Sequence, residues 1–389
     1  MAASVTWVPE VIRFGRDAES GAEIEQLTSE PVTSTNIYCE QRYAAADGSR
    51  IALLRAPFGR PTELWVCDLR SLRLCRIAEG QPLGANAPLN AVYYVARTGG
   101  APCLMRLDLA TLDTREMTRF GDGLAPRNAA ISPDEHWLAH GPFPVRDNLF
   151  SLHRTDLATG RTEPLCEVED MFNPHAQFEP AAGRILAIQI NRGGALNLPN
   201  GAYRLTGKLG ATHAFVDIDT GRVTPLPVGR PHTPGLSGHS CWAGRTGRFL
   251  FTGGQYKVST SAWVTWKDAA EVLEHERSMP RAAIYSIAPG DSAARVVGQG
   301  CMFNHLAASD DGRFFIADDH VTGRIQIGSI ATGKYRGLCD SHTRQGSCQH
   351  SHVHAYMTPD NRHVIFGSIV TGVAQVYAAR VPEGFLDSI

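Results

Sequence analysis

Fifteen histidines are distributed over 389 residues, and four of them occupy one place in a recurring phrase. His175, His239, His305 and His354 each stand immediately before a short apolar run that ends in an Asp/Pro/Gly turn, as in HAQFEPAAG, HSCWAGRTG, HLAASDDG and HAYMTPDN. They lie about 50 to 65 residues apart, and random placement would scatter them relative to the phrase. Two further copies carry Gln41 and Asn128 at this position, so the polar series continues. Next to the last member runs Gln349-His350-Ser351-His352-Val353-His354. An extended chain places His350, His352 and His354 on one side, because side chains alternate along a strand. Two imidazoles at this spacing can share one ion. Imidazole nitrogen with an amide oxygen, and no thiolate, suits a borderline or hard divalent cation such as Mn²⁺, with other divalent ions open, better than a structural zinc cage. A single such histidine reads as a neutral packing group; the repeated set reads as a site.

Residues this far apart in the chain meet only if a repeating architecture brings equivalent positions together. The phrase of strand, turn and strand occurs seven times, beginning at Arg42, Asn90, Ala129, Ala176, Ser240, Leu306 and Ala355. The copy at Asn90 (NAVYYVARTGG) lacks the turn signature. Most copies are followed by a second hairpin of the form D-x-x-(T/S)-G, for example LHRTDLATGRTEPL and FVDIDTGRVTPL. Four short strands in units of roughly 40 to 50 residues are the mark of propeller blades. The fold class is therefore all-β, a seven-bladed β-propeller forming a single domain over residues 1–389. Inner strands begin at one mouth of the central channel, which explains how the histidines converge. The segment AEIEQLTS, at residues 22–29, reads as an outer strand arriving before its own inner strands, so residues 23–28 are predicted to complete the last blade and close the ring. Two stretches break the rhythm: residues 191–212 are Gly-rich and basic, while 266–281 mix helix formers and are expected to carry a helix. Both read as insertions over one face.

With 37 Lys+Arg against 39 Asp+Glu and a net charge of −2, neither a nucleic-acid partner nor an acidic membrane is implied. The first twenty residues show no signal peptide, and no window approaches the ~18 apolar residues of a span. Nine cysteines without a CxxC pair point to a reducing cytoplasm, with Cys67, Cys75 and Cys103 as small strand residues. The absence of a G-x-S-x-G elbow excludes a propeller-plus-hydrolase peptidase. A monomer or small homo-oligomer is expected.

On these motifs the chain resembles the oligogalacturonate lyases, seven-bladed propellers of polysaccharide lyase family 22. The resemblance runs from EQLTSEPVTSTNIYCEQRYAAADGSRIAL to HAYMTPDNRHVIFGSIVTGVAQVYAARVP and covers nearly the whole chain. Its most specific elements are Q-x-x-H-x-H before a T-P turn, here Gln349, His352 and His354, and H-L-x-x-S/N-x-D-G, here His305. The resemblance implies that these four positions bind manganese. It also implies that His239, in Gly238-His239-Ser240-Cys241-Trp242 where the family reads G-H-E-F-W, is the catalytic base. Two positions depart from the family: His213 stands where it has an arginine, and Asn191-Arg192-Gly193 where it reads H-E-G.

The chemistry so implied is β-elimination from an acidic oligosaccharide. The C5 proton of a uronate is poorly acidic until the C6 carboxylate is neutralised, which a divalent ion does as a Lewis acid, and a neutral His can then take the proton. His239 is the expected base, with His213 or Arg192 as the alternatives. Tyr203, His213 or His175 would protonate the leaving O4. Arg192, Arg204 and Lys208 are candidates for holding a second uronate, since guanidinium matches carboxylate geometry, although solvated loop charges explain them equally. Trp242, Trp263 and Trp266 are candidates for stacking on sugars, Trp242 fitting the core better. Two alternatives stay open: a lyase of the same fold for another uronate oligosaccharide, and a non-catalytic propeller scaffold using one rim for partners.

Overall fold

The computed structural model describes residues 5–121, 125, 126, 128–195, 206–254, 283–343 and 352–389. Its strands form seven antiparallel sheets, the blades of an all-β propeller. The chain divides into two compact units, residues 1–125 with 305–389, and residues 126–304. The first holds blades one, two, six and seven and the second holds blades three, four and five.

Blade six shows how the pattern works. Phe303–Ala308, Phe314–Asp319 and Arg324–Ser329 are buried almost throughout, whereas the outer Tyr335–Asp340 is accessible over its first half and buries only Leu338 and Cys339. Strands covered on both faces are buried along their length, and only the outermost, with one face toward solvent, is partly accessible. Cys67, Cys75 and Cys103 are fully buried in strands, as expected of small apolar residues.

The two turn motifs have separate causes. In the outer hairpins the Asp side chain accepts the amides two and three residues on: Asp68 from Arg70 and Ser71, Asp156 from Ala158 and Thr159, Asp217 from Asp219 and Thr220. The closing residue then turns left-handed, at φ 71° for Gly160 and 70° for Gly221. In blades one and two that position is Leu72 and Leu112, at φ 53° and 65°, so these turns hold without the glycine that ordinarily relieves such a conformation. In the inner hairpins a hydroxyl organises the bend: Ser132, Ser309 and Thr358 each donate to the Asp two residues later. The copy at Asn90 lacks this motif because a 3₁₀ turn, Ala87–Leu89, joins its strands, with Asn90 left-handed after it.

Ring closure is as the sequence predicts. Glu23–Gln26 pairs with Gln375–Arg380 of the last blade, Ile24 opposite Ala379 and Gln26 opposite Tyr377. Two additional strands were not foreseen. Ile12–Arg16 adds a fifth strand outside Glu23–Gln26, and Trp7–Pro9 adds a fifth to blade one beside Arg73–Glu79. Between them the Glu10 side chain is buried, its two carboxylate oxygens both accepting from Arg55 Nη2 (2.5 and 2.6 Å) and Oε1 also from the amide of Ser29 at 2.7 Å. Arg13 and Arg16 both reach Glu23, so the exposed edge carries charge, a common defence against edge-to-edge pairing.

The insertion at 191–212 is the connection between two paired strands of blade four, Ile185–Asn191 and Ala211–Asp217, with Asn191 opposite Ala211. The helix expected at 266–281 lies outside the described residues.

Candidate metal centre

Three imidazoles converge within the first unit. His305, His352 and His354 each offer a ring nitrogen, and these nitrogens all lie within 4.8 Å of one another. Ring centroids are 4.4 Å apart for His305 and His354, 5.1 Å for His305 and His352, and 5.5 Å for His352 and His354. His305 and His354 are buried and His352 is half-buried.

Different local devices hold each one. His305 lies inside the strand Phe303–Ala308 rather than just before it, and His239 likewise lies inside Leu236–Trp242. This corrects the expected placement for blades five and six, where the inner strand starts earlier than the apolar phrase. His175 and His354 do precede their strands, Gln177–Phe178 and Tyr356–Met357, and both are left-handed, at φ 43° and 41°. Asn128 matches them at φ 42°. The shared backbone conformation shows that these repeat positions are structurally equivalent in blades three, four and seven.

The chain bearing His352 lies close to the neighbouring strand His363–Ser368. A Cβ on Gly367 would come within 2.6 Å of the His352 carbonyl oxygen, so only glycine admits this approach. The backbone of His354 is held by Asn36, whose Nδ2 donates to its carbonyl at 2.7 Å, and its ring packs on Tyr38 at 4.3 Å.

Sequence reasoning missed three residues here: Asn36, Tyr38 and Asp318. Asp318, buried in Phe314–Asp319, accepts both the backbone amide and Nδ1 of His305 at 2.9 Å on the same oxygen, with its other oxygen 3.2 Å from Nδ1. The available signal was an acidic pair closing an otherwise apolar strand, FFIADD.

This donor set fits a divalent ion. Three imidazoles gathered at one point, one of them bonded through its second nitrogen to a carboxylate, are the arrangement by which proteins orient metal-ligating histidines. Gln349, the expected fourth ligand, lies outside the described residues, as do His350, Tyr203, Arg204, Trp263 and Trp266.

The remaining candidates fall in the second unit. His239 is half-buried on its strand, next to Gly238 at φ 90°. His175 is half-buried, its Nε2 2.8 Å from the side-chain nitrogen of Asn173. His213 differs: it is 1% exposed and packs edge-on against Phe249 at 5.1 Å. Burial pushes its pKa down to about 3, offset in part by the Ile188 carbonyl near Nδ1. That imidazole is a neutral core group, not one presented to a substrate. Arg192 also departs from expectation. Its guanidinium donates to the carbonyls of Gly210, Arg230, Leu209 and Ala211, so it staples the blade-four connection, and its capacity for a carboxylate is taken up by backbone. Lys208 is exposed. Trp242 is core, stacked on Phe215 and donating to the Gln177 carbonyl.

The fold and this cluster define a seven-bladed propeller with a three-histidine centre. The chain is a homologue of the oligogalacturonate lyases over nearly its full length. It is 24% identical to the oligogalacturonide lyase of Pectobacterium atrosepticum, with 97% of each chain covered, and 24% identical to the oligogalacturonate lyase of Dickeya dadantii, with 95% of each covered. A solved oligogalacturonate lyase in complex with manganese matches its fold with a TM-score of 0.71 at 19% identity, covering 98% of this chain and 99% of that one. No protein-family model matches the chain.

Proposed function

We propose that this protein is a divalent-metal-dependent lyase that cleaves uronate-containing oligosaccharides, oligogalacturonides first among them, by β-elimination. The observation that carries this reading is the convergence of His305, His352 and His354. Similarity to lyases of this activity, one of them solved with manganese, supports it.

His305, His352 and His354, with Gln349, would hold the ion. When bound, a divalent cation, Mn²⁺ by preference, neutralises the C6 carboxylate and so acidifies C5. His239 takes the C5 proton: a half-buried imidazole keeps contact with solvent and substrate, whereas His213 is sealed among phenylalanines. As the C5–H pair becomes the C4=C5 double bond, the C4–O4 bond breaks, and O4 receives a proton from water or from a donor such as His175 or Tyr203. Arg204 and Lys208 remain proposals for holding a second carboxylate. We infer a cytoplasmic site of action, and a single propeller domain acting as a monomer or small homo-oligomer.

The test is incubation with Mn²⁺ and a panel of galacturonate, glucuronate and other uronate oligomers, following the ultraviolet absorbance of a 4,5-unsaturated product. Product from galacturonate oligomers is expected. Product only from another uronate favours the sister specificity, which His213 in the family's arginine position motivates; no product and no metal uptake would leave a scaffold.

A further inference from the structure

A neutral imidazole can ligate through only one nitrogen, because the other carries the proton, so a centre built from three histidines needs each tautomer set beforehand. For His305 the agent is visible. Nδ1 lies 2.9 Å from Asp318 Oδ1 and 3.2 Å from Oδ2, and a carboxylate can only accept, so Nδ1 bears the proton and Nε2 keeps the lone pair. The same Oδ1 accepts the His305 backbone amide at 2.9 Å. Asp318 thereby ties ring and main chain together and fixes the ring's rotation as well as its proton. Both residues are buried, at 4% exposure each, so solvent does not compete for this contact. A carboxylate here also supplies a negative charge behind a ligand set of imidazoles.

We propose that Asp318 is the positioning residue of this centre: it selects the Nδ1–H tautomer of His305 and sets the affinity for the divalent ion without ligating it. The affinity half rests on the metal reading above, whereas the tautomer half is a property of the metal-free protein.

The experiment uses full-length protein, with Asp318→Asn and Asp318→Ala, and three readouts: ¹⁵N NMR of His305 without metal, Mn²⁺ affinity by electron paramagnetic resonance of the free ion, and thermal unfolding. The wild type should show a single Nδ1–H tautomer at His305. Asp318→Asn retains an acceptor oxygen where both donors point, so it should keep the tautomer while binding Mn²⁺ about 10-fold more weakly; Asp318→Ala should lose the tautomer preference and bind about 100-fold more weakly. A merely structural aspartate would lower the unfolding temperature and leave both tautomer and affinity of the folded variants unchanged. That pattern overturns the proposal, as does a wild-type His305 protonated on Nε2. Should Asp318→Ala fail to fold, the near-isosteric Asn variant still decides, since unchanged Mn²⁺ affinity in it refutes a role for the carboxylate charge. Wild type that takes up no Mn²⁺ overturns the metal reading instead, a result separable from the NMR.

Discussion

The side-chain amide of Asn36 donates to the main-chain carbonyl of His354 at 2.7 Å, joining positions 318 residues apart in the chain. Asn36 is buried, and it also approaches the Ile365 carbonyl at 3.4 Å, so one side chain ties His354 to the strand beneath it. Replacing Asn36 with Leu leaves a buried carbonyl without this donor next to a left-handed residue. The expected result is a loss of about 1 to 3 kcal/mol of stability and weaker Mn²⁺ binding. Paired urea denaturation and metal titration check it; a variant equal to the wild type in both would remove Asn36 from the account.

His352→Ala should remove the bound ion while leaving the propeller folded. His352 is half-buried, so truncating it costs less packing than removing a fully buried side chain. Metal content after dialysis and the thermal transition are the two measurements. Full metal retention would sink the three-histidine centre.

His239→Ala and His213→Ala should separate chemistry from packing. Loss of a general base lowers turnover by about 10² to 10⁴, so His239→Ala should keep its ion and lose rate to that extent. His213→Ala should instead cost about 2 kcal/mol of stability through lost packing against Phe249 and Phe251, with turnover near wild type. The reverse pattern, with only the His213 variant inactive while holding its ion, would transfer the base to His213.

Acid should destabilise the protein before its carboxylates titrate. Burial holds His213 down to about 3, and burial together with repulsion from His153 holds His140 down to about 4, against an ordinary value of 6.5. The unfolded chain takes up these protons near pH 6.5 while the folded chain refuses them. Stability is therefore full above 6.5 and falls as pH drops toward 4, by about 2 kcal/mol per histidine between pH 7 and pH 5. Urea midpoints across that window, for the wild type and His140→Gln, provide the check: the variant's profile should be flatter, and two parallel profiles would contradict the assignment.

Glu10 should matter more than its place near the N-terminus suggests. Burial alone would raise its pKa, but the Arg55 contact and the amides of Ser29 and Glu30 outweigh this and hold it below the usual carboxylate value. Glu10→Ala strands the buried Arg55 guanidinium, which breaking a buried pair puts at about 3 kcal/mol or more. Chemical denaturation measures it; a change below about 0.5 kcal/mol would class the pair with surface salt bridges.

Much of this protein was legible in order along the chain. The strand and turn phrases determined seven blades because each depends on contacts a few residues apart, such as Asp156 with its own turn amides or Thr358 with Asp360. The displaced strand Glu23–Gln26 was equally readable, since a propeller leaves one outer edge for it. Repeat-equivalent positions identified His305 and His354, and the alternation of the run beside His354 added His352, because periodicity converts distant numbers into one place. What only tertiary structure decided concerns single positions with no periodic signature. Asp318 looks like any strand-end acid until the neighbouring strand puts His305 against it. Arg192 looks like a loop cation offered to substrate, and the folded connection uses its donors on four carbonyls. His213 has the residue type of a base, and the packing of Phe249 and Phe251 around it makes it a neutral core group. Residue type sets what a group is capable of; burial and the partners supplied by distant strands decide what it does.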